Sequence, residues 1–378
     1  MKKILFIIHD DLSGGSSRSL LSQIFFLKKE KFIDPVVVTW KNNSLSAYLR
    51  EMGVCCYSVR FDFTSVWTRN RIFHLVKRPY YRLCYNFFAY KKLKKEIDFS
   101  EISLIVSNSS VIDLGAYLHK KTYIPHVWYL REFGDLDFNI LPYIRNFPNY
   151  INSFSNGIIA VSKAVAEHWQ KRGVKKSIEV VYNGVVDKPL LDPVRKRLAI
   201  VNICMCGRLC PAKGQALAIK ALQLLPKMIL ENIRLDFFGQ GESENLLKSL
   251  VKNGKLDKYV SFKGFSDDLN TKLYNYEIGL TLSKAEAFGR TTVEYLSHSL
   301  FVIASNSGGT PELLEKGKYG ILVNFNSPEQ LAKAIEYYCE NRDACVEKTK
   351  HFRVYAENFS VAKSAKHAYD FYKRFMNE

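Results

Sequence analysis

"LAIVNICMCGRLCPAKGQ", residues 198–215, decides how the chain is partitioned. It opens as an apolar run of the kind that forms a parallel strand buried on both faces. At Gly207 it breaks into a basic loop bounded by glycines, and from Gln215 to Leu225 it takes a helical apolar period. Strand, glycine loop and helix make the repeating unit of a doubly wound α/β sheet. The start of the chain has the same plan: "KILFII" (3–8), "SGGSSRS" (13–19), then a helical stretch through Leu27. A chain of 378 residues is long for one core, so two such domains are expected.

The alternation continues outward from both starts. Before residue 198 the strand candidates are "PVVVTW" (35–40), "VCCYSV" (54–59), "SLIVSNS" (103–109), "TYIPHVWYL" (122–130) and "GIIAVS" (157–162). After it they are "IRLDFFG" (233–239), "YVSFKGF" (259–265), "EIGLTLS" (277–283), "FVIASNS" (301–307) and "GILVNF" (320–325). Helices are expected from Ser243, after Gly289 and from Pro328. Residues 180–197, with an Asn-Gly, two prolines and a charge cluster, read as the linker. The last segment puts Val361, Ala365, Ala368, Tyr369 and Tyr372 on one helical face, with Ser360 as N-cap. Two open sheets in series would turn their carboxyl ends, where ligands bind, to a shared cleft.

The formal charge is +18, and residues 1–184 hold +12 of it. Such a surplus favours phosphorylated ligands, anionic lipid or nucleic acid. The eight cysteines sit in apolar contexts and read as reduced, buried thiols of a cytosolic chain. "CMCGRLC" (204–210) lacks a second Cys or His pair at finger spacing, so no metal is expected. The opening apolar run is too short for a signal peptide, and no run reaches membrane-spanning length.

Four glycine loops follow strands. Gly14 and Gly15 precede a helix whose first amides would face an anion, though a plain tight turn explains them equally. Arg208 offers a planar fork and Lys213 a mobile charge, a suitable pairing for a diphosphate. Gly239 with Gly241, and Gly308 with Gly309, bring backbone close to a ligand or simply turn the chain. In "SKAEAFGRTTVEYL" (283–296) a helix should start after Gly289, leaving Glu286 in the loop and Glu294 one turn in. Carboxylates accept hydrogen bonds from vicinal diols. In isolation Glu294 is better explained by a surface pair with His298.

The ordered set "GIIAVS", "VVYNGVVD", "GRLCPAKG", "FFGQGE", "VSFKGF", "EAFGRTTVE", "GGTPE" and "YGILV" resembles glycosyltransferase family 4, retaining nucleotide-sugar enzymes of the two-Rossmann GT-B fold. The resemblance implies a domain for the acceptor over 1–185, a donor domain over 186–355, and a C-terminal helix, 356–378, crossing back onto the first. It implies that Arg208 and Lys213 bind the donor diphosphate, Glu294 the ribose and Glu286 the sugar. Backbone at Phe288, Gly289 and Arg290 would touch sugar and phosphate, and Gly14, Gly15, Gly239 and Gly241 would lie near the donor. His126 would contact the transferred sugar, with Arg131 and Glu132 on the acceptor side. The expected reaction moves a sugar from a UDP- or GDP-type donor to a glycan or lipid-linked acceptor, without cofactor or tightly bound metal, in bacterial surface-polysaccharide assembly. An epimerase and a catalytically silent partner subunit are the alternatives. Asn326, where Asp is common, and Arg290-Thr291, where an aliphatic pair is usual, depart from the pattern.

Residues 60–96 carry ten Lys/Arg against two acids, interleaved with aromatics including Trp67, Phe73, Tyr80, Tyr81, Tyr85, Phe87, Phe88 and Tyr90. This composition suits an anionic membrane face. It is matched equally by two ordinary helices with aromatics in the core, and no nucleic-acid motif accompanies it. The expectation is a cytoplasmic chain, peripheral on the inner face of the plasma membrane.

Overall fold

The computed structural model describes residues 1–12, 14–67, 71–187, 199–266 and 268–376, with only the backbone of 66, 67 and 71–79. The chain forms two units. One comprises Met1–Gly184 with Val361–Glu378, the other Val185–Ser360.

The first unit carries β1 (Lys2–Ile8), β2 (Ile33–Trp40), β3 (Cys55–Val59), β4 (Ser65–Trp67), β5 (Ile102–Ser107), β6 (His126–Leu130), β7 (Ile140–Pro142), β8 (Gly157–Ala160) and β9 (Ile178–Val180). Seven of these make one parallel sheet in the order β3-β2-β1-β5-β6-β8-β9, and β4 pairs antiparallel with β7 outside it. The opening run is the central strand: Ile4 to Ile8 are all 0% exposed. A strand covered by helices on both faces needs apolar residues at every position, which explains the unbroken run. Chain order reverses between β1 and β5, so the loops after these strands diverge and leave a crevice at the sheet's carboxyl end.

The second unit repeats the plan with β10 (Val201–Cys206), β11 (Ile233–Phe238), β12 (Val260–Gly264), β13 (Ile278–Thr281), β14 (Phe301–Ser305) and β15 (Ile321–Val323). All neighbours are parallel, in the order β12-β11-β10-β13-β14-β15, and the switch lies between β10 and β13. Along β10, Cys204 joins the core layer of Tyr295 and Val302, while Met205 joins the opposite layer of Ile219 and Leu331. That alternation accounts for the Cys-x-Cys spacing without a metal. All eight thiols are free, but only Cys204 and Cys345 are buried; the sequence expectation of mostly buried cysteines is corrected here, and Cys55 is exposed.

The C-terminal helix runs Val361–Lys373 and belongs to the first unit. Val361, Ala365, Ala368, Phe371 and Tyr372 are buried. Phe371, not the expected Tyr369, completes the inner face. Tyr372 meets Phe6 with ring centroids 6.3 Å apart, and the Ser364 hydroxyl donates to the Tyr182 carbonyl at 2.6 Å. The segment joins the first unit at Val361, later than expected, because Phe352 and Ala356 fill the core of the second.

Other expectations shift. "TYIPHVWYL" is strand only from His126, since Tyr123 ends the preceding helix in a left-handed turn (φ 61). The basic aromatic segment, for which two ordinary helices were one of the readings, holds β4 and a single helix, Arg71–Glu96. Part of the anticipated linker, with Phe73's side chain and that of Trp67, lies outside what is described.

Candidate functional site

The second unit's site is built where β10 and β13 end. After β10 the chain runs through Gly207 and Arg208 to a turn at Pro211–Lys213, closed by Gly214 at φ 80. A Cβ on Gly214 would stand 2.3 Å from the Leu282 carbonyl, so only glycine lets this loop press on the segment after β13. The Lys284 amide donates to the Ala212 carbonyl at 2.9 Å and fixes the contact. The result is a close pair: Lys213 Nζ lies 2.7 Å from Glu286 Oε2, which also accepts from Ser283 Oγ at 2.7 Å. Burial alone would raise the Glu286 carboxyl; the Lys213 ammonium and the two hydrogen bonds outweigh it and hold the group below the usual range.

The loop after β14 closes the other side. A Cβ on Gly308 (φ 59) would lie 2.3 Å from the Glu286 carbonyl, and the Gly309 amide donates to that oxygen at 2.7 Å. Ser307 Oγ donates to the Ser283 carbonyl at 3.0 Å. Three loops therefore share one anchor, the backbone around Glu286. A cavity of about 20 Å³, lined in part by Lys213, Ser283, Glu286, Gly289 and Thr291, remains between them. It has room for about one water.

Gly289, at φ 96, starts the helix Arg290–Ser297. Helix starts present amides without intrahelical partners, a setting that favours anions. Phe288 is buried edge-on to Phe359, so its side chain is core. Glu294 does not form the expected side-chain pair with His298. Its Oε1 stands 3.8 Å from Arg290 Nη2, while His298 Nδ1 meets the Glu294 carbonyl at 2.7 Å.

Arg208 is not brought into the Lys213–Glu286 pair. Its guanidinium bonds Glu242 at 3.0 and 3.1 Å, and the side chain is 71% exposed. Gly239 and Gly241 support this loop from behind. Cβ atoms there would meet the Gly207 carbonyl at 2.0 Å and the Leu209 carbonyl at 2.3 Å.

In the first unit, Gly14 caps the helix Gly15–Lys29, packed so closely on Asp10 that a Cβ would overlap its carboxylate. Asp10 Oδ2 accepts from Ser16 Oγ at 3.1 Å. The glycine loop thus already holds an acid beside the helix start.

Three expected site residues prove to be interior. His126 is 0% exposed, with Nδ1 on the Phe154 carbonyl at 2.6 Å and Nε2 on Ser107 Oγ at 2.9 Å. Burial pushes its pKa down to about 3, so the ring is neutral. Expected to contact the sugar, His126 has both ring nitrogens engaged by its own unit. Arg131 and Glu132, expected on the acceptor side, are 7% and 6% exposed. Arg131 reaches Asn183 Oδ1 at 2.6 Å and lies 3.8 Å over the Tyr129 ring. Glu132 Oε1 accepts from Ser109 Oγ at 2.7 Å and the Ser110 amide at 2.6 Å.

Sequence reasoning passed over Ser283 and Asp137. Ser283 ends the strand run three residues before Glu286, a spacing that permits its bond. Asp135-Leu136-Asp137 has a metal-pair spacing, but its carboxylates are engaged. Asp135 meets His168 at 2.9 Å, and Asp137 accepts from the Phe133 and Gly134 amides at 3.0 and 2.8 Å. Burial, supported by the Glu132 charge and opposed by those amides, pushes Asp137 up to about 7. Among the described residues no three His, Cys, Asp or Glu side chains are grouped to hold a metal.

Family models match both parts of the chain: "Glycosyltransferase Family 4" over residues 34–188 and "Glycosyl transferases group 1" over 199–359. An uncharacterized glycosyltransferase of Methanocaldococcus jannaschii is 28% identical over 244 residues, 58% of this chain and 59% of that relative. The lipopolysaccharide core biosynthesis glycosyltransferase LpsE of Rhizobium meliloti is 25% identical over 202 residues, 51% of this chain and 57% of its own. The chain thus spans under two thirds of these relatives' lengths. The Anabaena protein HepE, crystallised with UDP-glucose, is 20% identical and superposes with a TM-score of 0.78 over 99% of this chain and 100% of its own. That likeness shows the shared fold, two Rossmann-like units.

Proposed function

We infer, for a chain that belongs to glycosyltransferase family 4, that it moves a sugar from a UDP- or GDP-type donor to a glycan or lipid-linked acceptor. The observation that carries this is the Lys213–Glu286–Ser283 cluster, held where two glycine-packed loops press on the segment after β13, at the switch point of the second sheet. Lys213 is positioned to trade its carboxylate partner for a donor phosphate, which frees Glu286 for sugar hydroxyls. Arg208 would turn from Glu242 to the same diphosphate. Glu294 would take the ribose, with the amides of 289–291 toward phosphate and sugar.

The reaction fits retention at the anomeric carbon. The acceptor oxygen bonds to that carbon as the sugar–phosphate bond breaks on the same face, and the acceptor proton passes to the departing phosphate oxygen. The protein supplies position and positive charge for the leaving group, so the reading needs no resident metal. The likeness to a lipopolysaccharide core enzyme supports a role in bacterial surface-polysaccharide assembly. The chain would work in the cytoplasm, peripheral on the inner face of the plasma membrane. No described helix is long and apolar enough to cross a membrane.

Thermal shift against a panel of UDP- and GDP-sugars tests the reading, since a bound donor stabilises by mass action. One donor should raise the melting temperature, and nucleotide release should require acceptor. Interconversion of the free donor would instead indicate an epimerase, and stabilisation without turnover of any acceptor a silent homologue.

A further inference from the structure

The helix Arg71–Glu96 lies outside the site, and its exposed face has no partner assigned to it. From Tyr80 onward its two sides divide cleanly. Asn86, Ala89 and Leu93 are buried, and Asn86 Nδ2 donates to Asp113 Oδ2 at 2.6 Å, pinning the helix to the first unit. The opposite side holds Tyr80, Leu83, Phe87 and Phe88, exposed by 70%, 53%, 43% and 65%. Water-facing aromatics at this density need an explanation, because a soluble helix ordinarily turns such residues inward.

The same face then turns cationic. At 100° per residue Lys91, Lys94 and Lys95 fall in line with Tyr80, Phe87 and Phe88, and all three lysines are exposed. Lys91 Nζ lies 5.6 Å from the Phe87 ring centre, joining the two zones. Residues 63–95 hold nine Lys or Arg and no acid. The acids nearby, Glu96 and Asp98, follow at the helix end, and Glu96 reaches Lys92 at 4.0 Å. A second element adds to this surface. Lys94, Lys95 and Thr122 line one groove of about 470 Å³ together with Glu96 and Asp98, and Tyr123, beside Thr122, is 85% exposed after the exposed Lys120 and Lys121.

We propose that this face of Arg71–Glu96 binds the surface of an anionic lipid bilayer, with Tyr80, Leu83, Phe87 and Phe88 in the headgroup–acyl boundary and Lys91, Lys94 and Lys95 on lipid phosphates. Charge complementarity and the aromatic zone beside the lysines select this occupant: a bilayer offers an apolar boundary for the rings directly under a layer of phosphates for the lysines. Binding needs no donor, so it stands or falls separately from the transfer reaction.

The test is flotation of the full chain with phosphatidylcholine vesicles and with mixed phosphatidylcholine–phosphatidylglycerol vesicles. Binding to the mixed vesicles, weakened by salt, is expected. Each interfacial lysine is worth about fivefold, so Lys91→Gln/Lys94→Gln/Lys95→Gln should lower partitioning by about 100-fold. Phe87→Ser/Phe88→Ser should release the protein even at low salt. Unaltered circular dichroism would show that the variants fold. Equal binding to both vesicle types, binding that both variants retain, or retention on single-stranded polynucleotide without vesicle binding would overturn the proposal.

Discussion

Lys213 and Glu286 neutralise one another at 2.7 Å; under the proposed function, each would hold the other's place until a donor binds. Lys213→Ala should lower nucleotide release by about 100-fold or more, the usual cost of one charge-stabilising donor. Glu286→Gln should weaken discrimination among donor sugars more than nucleotide affinity; titration with UDP or GDP against the intact sugar donor separates the two. Two buried residues make opposite contributions to the response to acid. His126, pushed down to about 3 from 6.5, binds its proton in the unfolded chain first, so stability falls as pH drops from 6.5 toward 3. Asp137, pushed up to about 7 from 3.8, binds its proton in the folded chain first, so stability rises as pH drops from 7 toward 3.8. The two oppose each other across mildly acidic pH. Asp137→Asn removes only the second, and its stability relative to the parent should fall by about 1.4 kcal/mol per pH unit on acidification through that window. Urea titrations at several pH values would read this.

Loops rather than strands carry the construction of the site. Gly308 is the sharpest example, because a Cβ would meet both the carbonyl and the amide of Glu286 at a backbone angle that side chains avoid. Gly308→Ala should cost about 1–3 kcal/mol and displace Glu286; a lower melting temperature with a lost nucleotide-induced shift would confirm it. Such glycine loops were legible in the sequence, since strand runs ended at them in a fixed order. The partners were not legible. Nothing local to "HVWYLREFGD" tells that His126 meets Ser107 and Phe154, or that Arg131 meets Asn183, because those bonds join residues 19 to 52 positions apart. A polar residue at either end of a strand looks the same in sequence whether it faces a ligand or a neighbouring loop. The helix Arg71–Glu96 shows the converse limit: composition revealed the aromatics and lysines, and only the fold showed that they share an outward side.

At the scale of the molecule, the last eighteen residues complete the first unit. Deleting 361–378 strips the inner face formed by Val361, Ala365, Ala368, Phe371 and Tyr372. Fully burying one large apolar side chain is worth about 1.5–3 kcal/mol, and several are lost together, which rivals the stability of a whole domain. Limited proteolysis of this truncation should degrade residues 1–184 while sparing 199–360. The same arrangement orders events on the ribosome. Residues 185–360 emerge as one contiguous block and can fold as soon as they clear the exit tunnel. The other unit must wait, its sheet lacking this helix, until residues 361–373 have also emerged and Tyr372 can reach Phe6. The first part to be made is the last to be finished, and chaperones would find their client there.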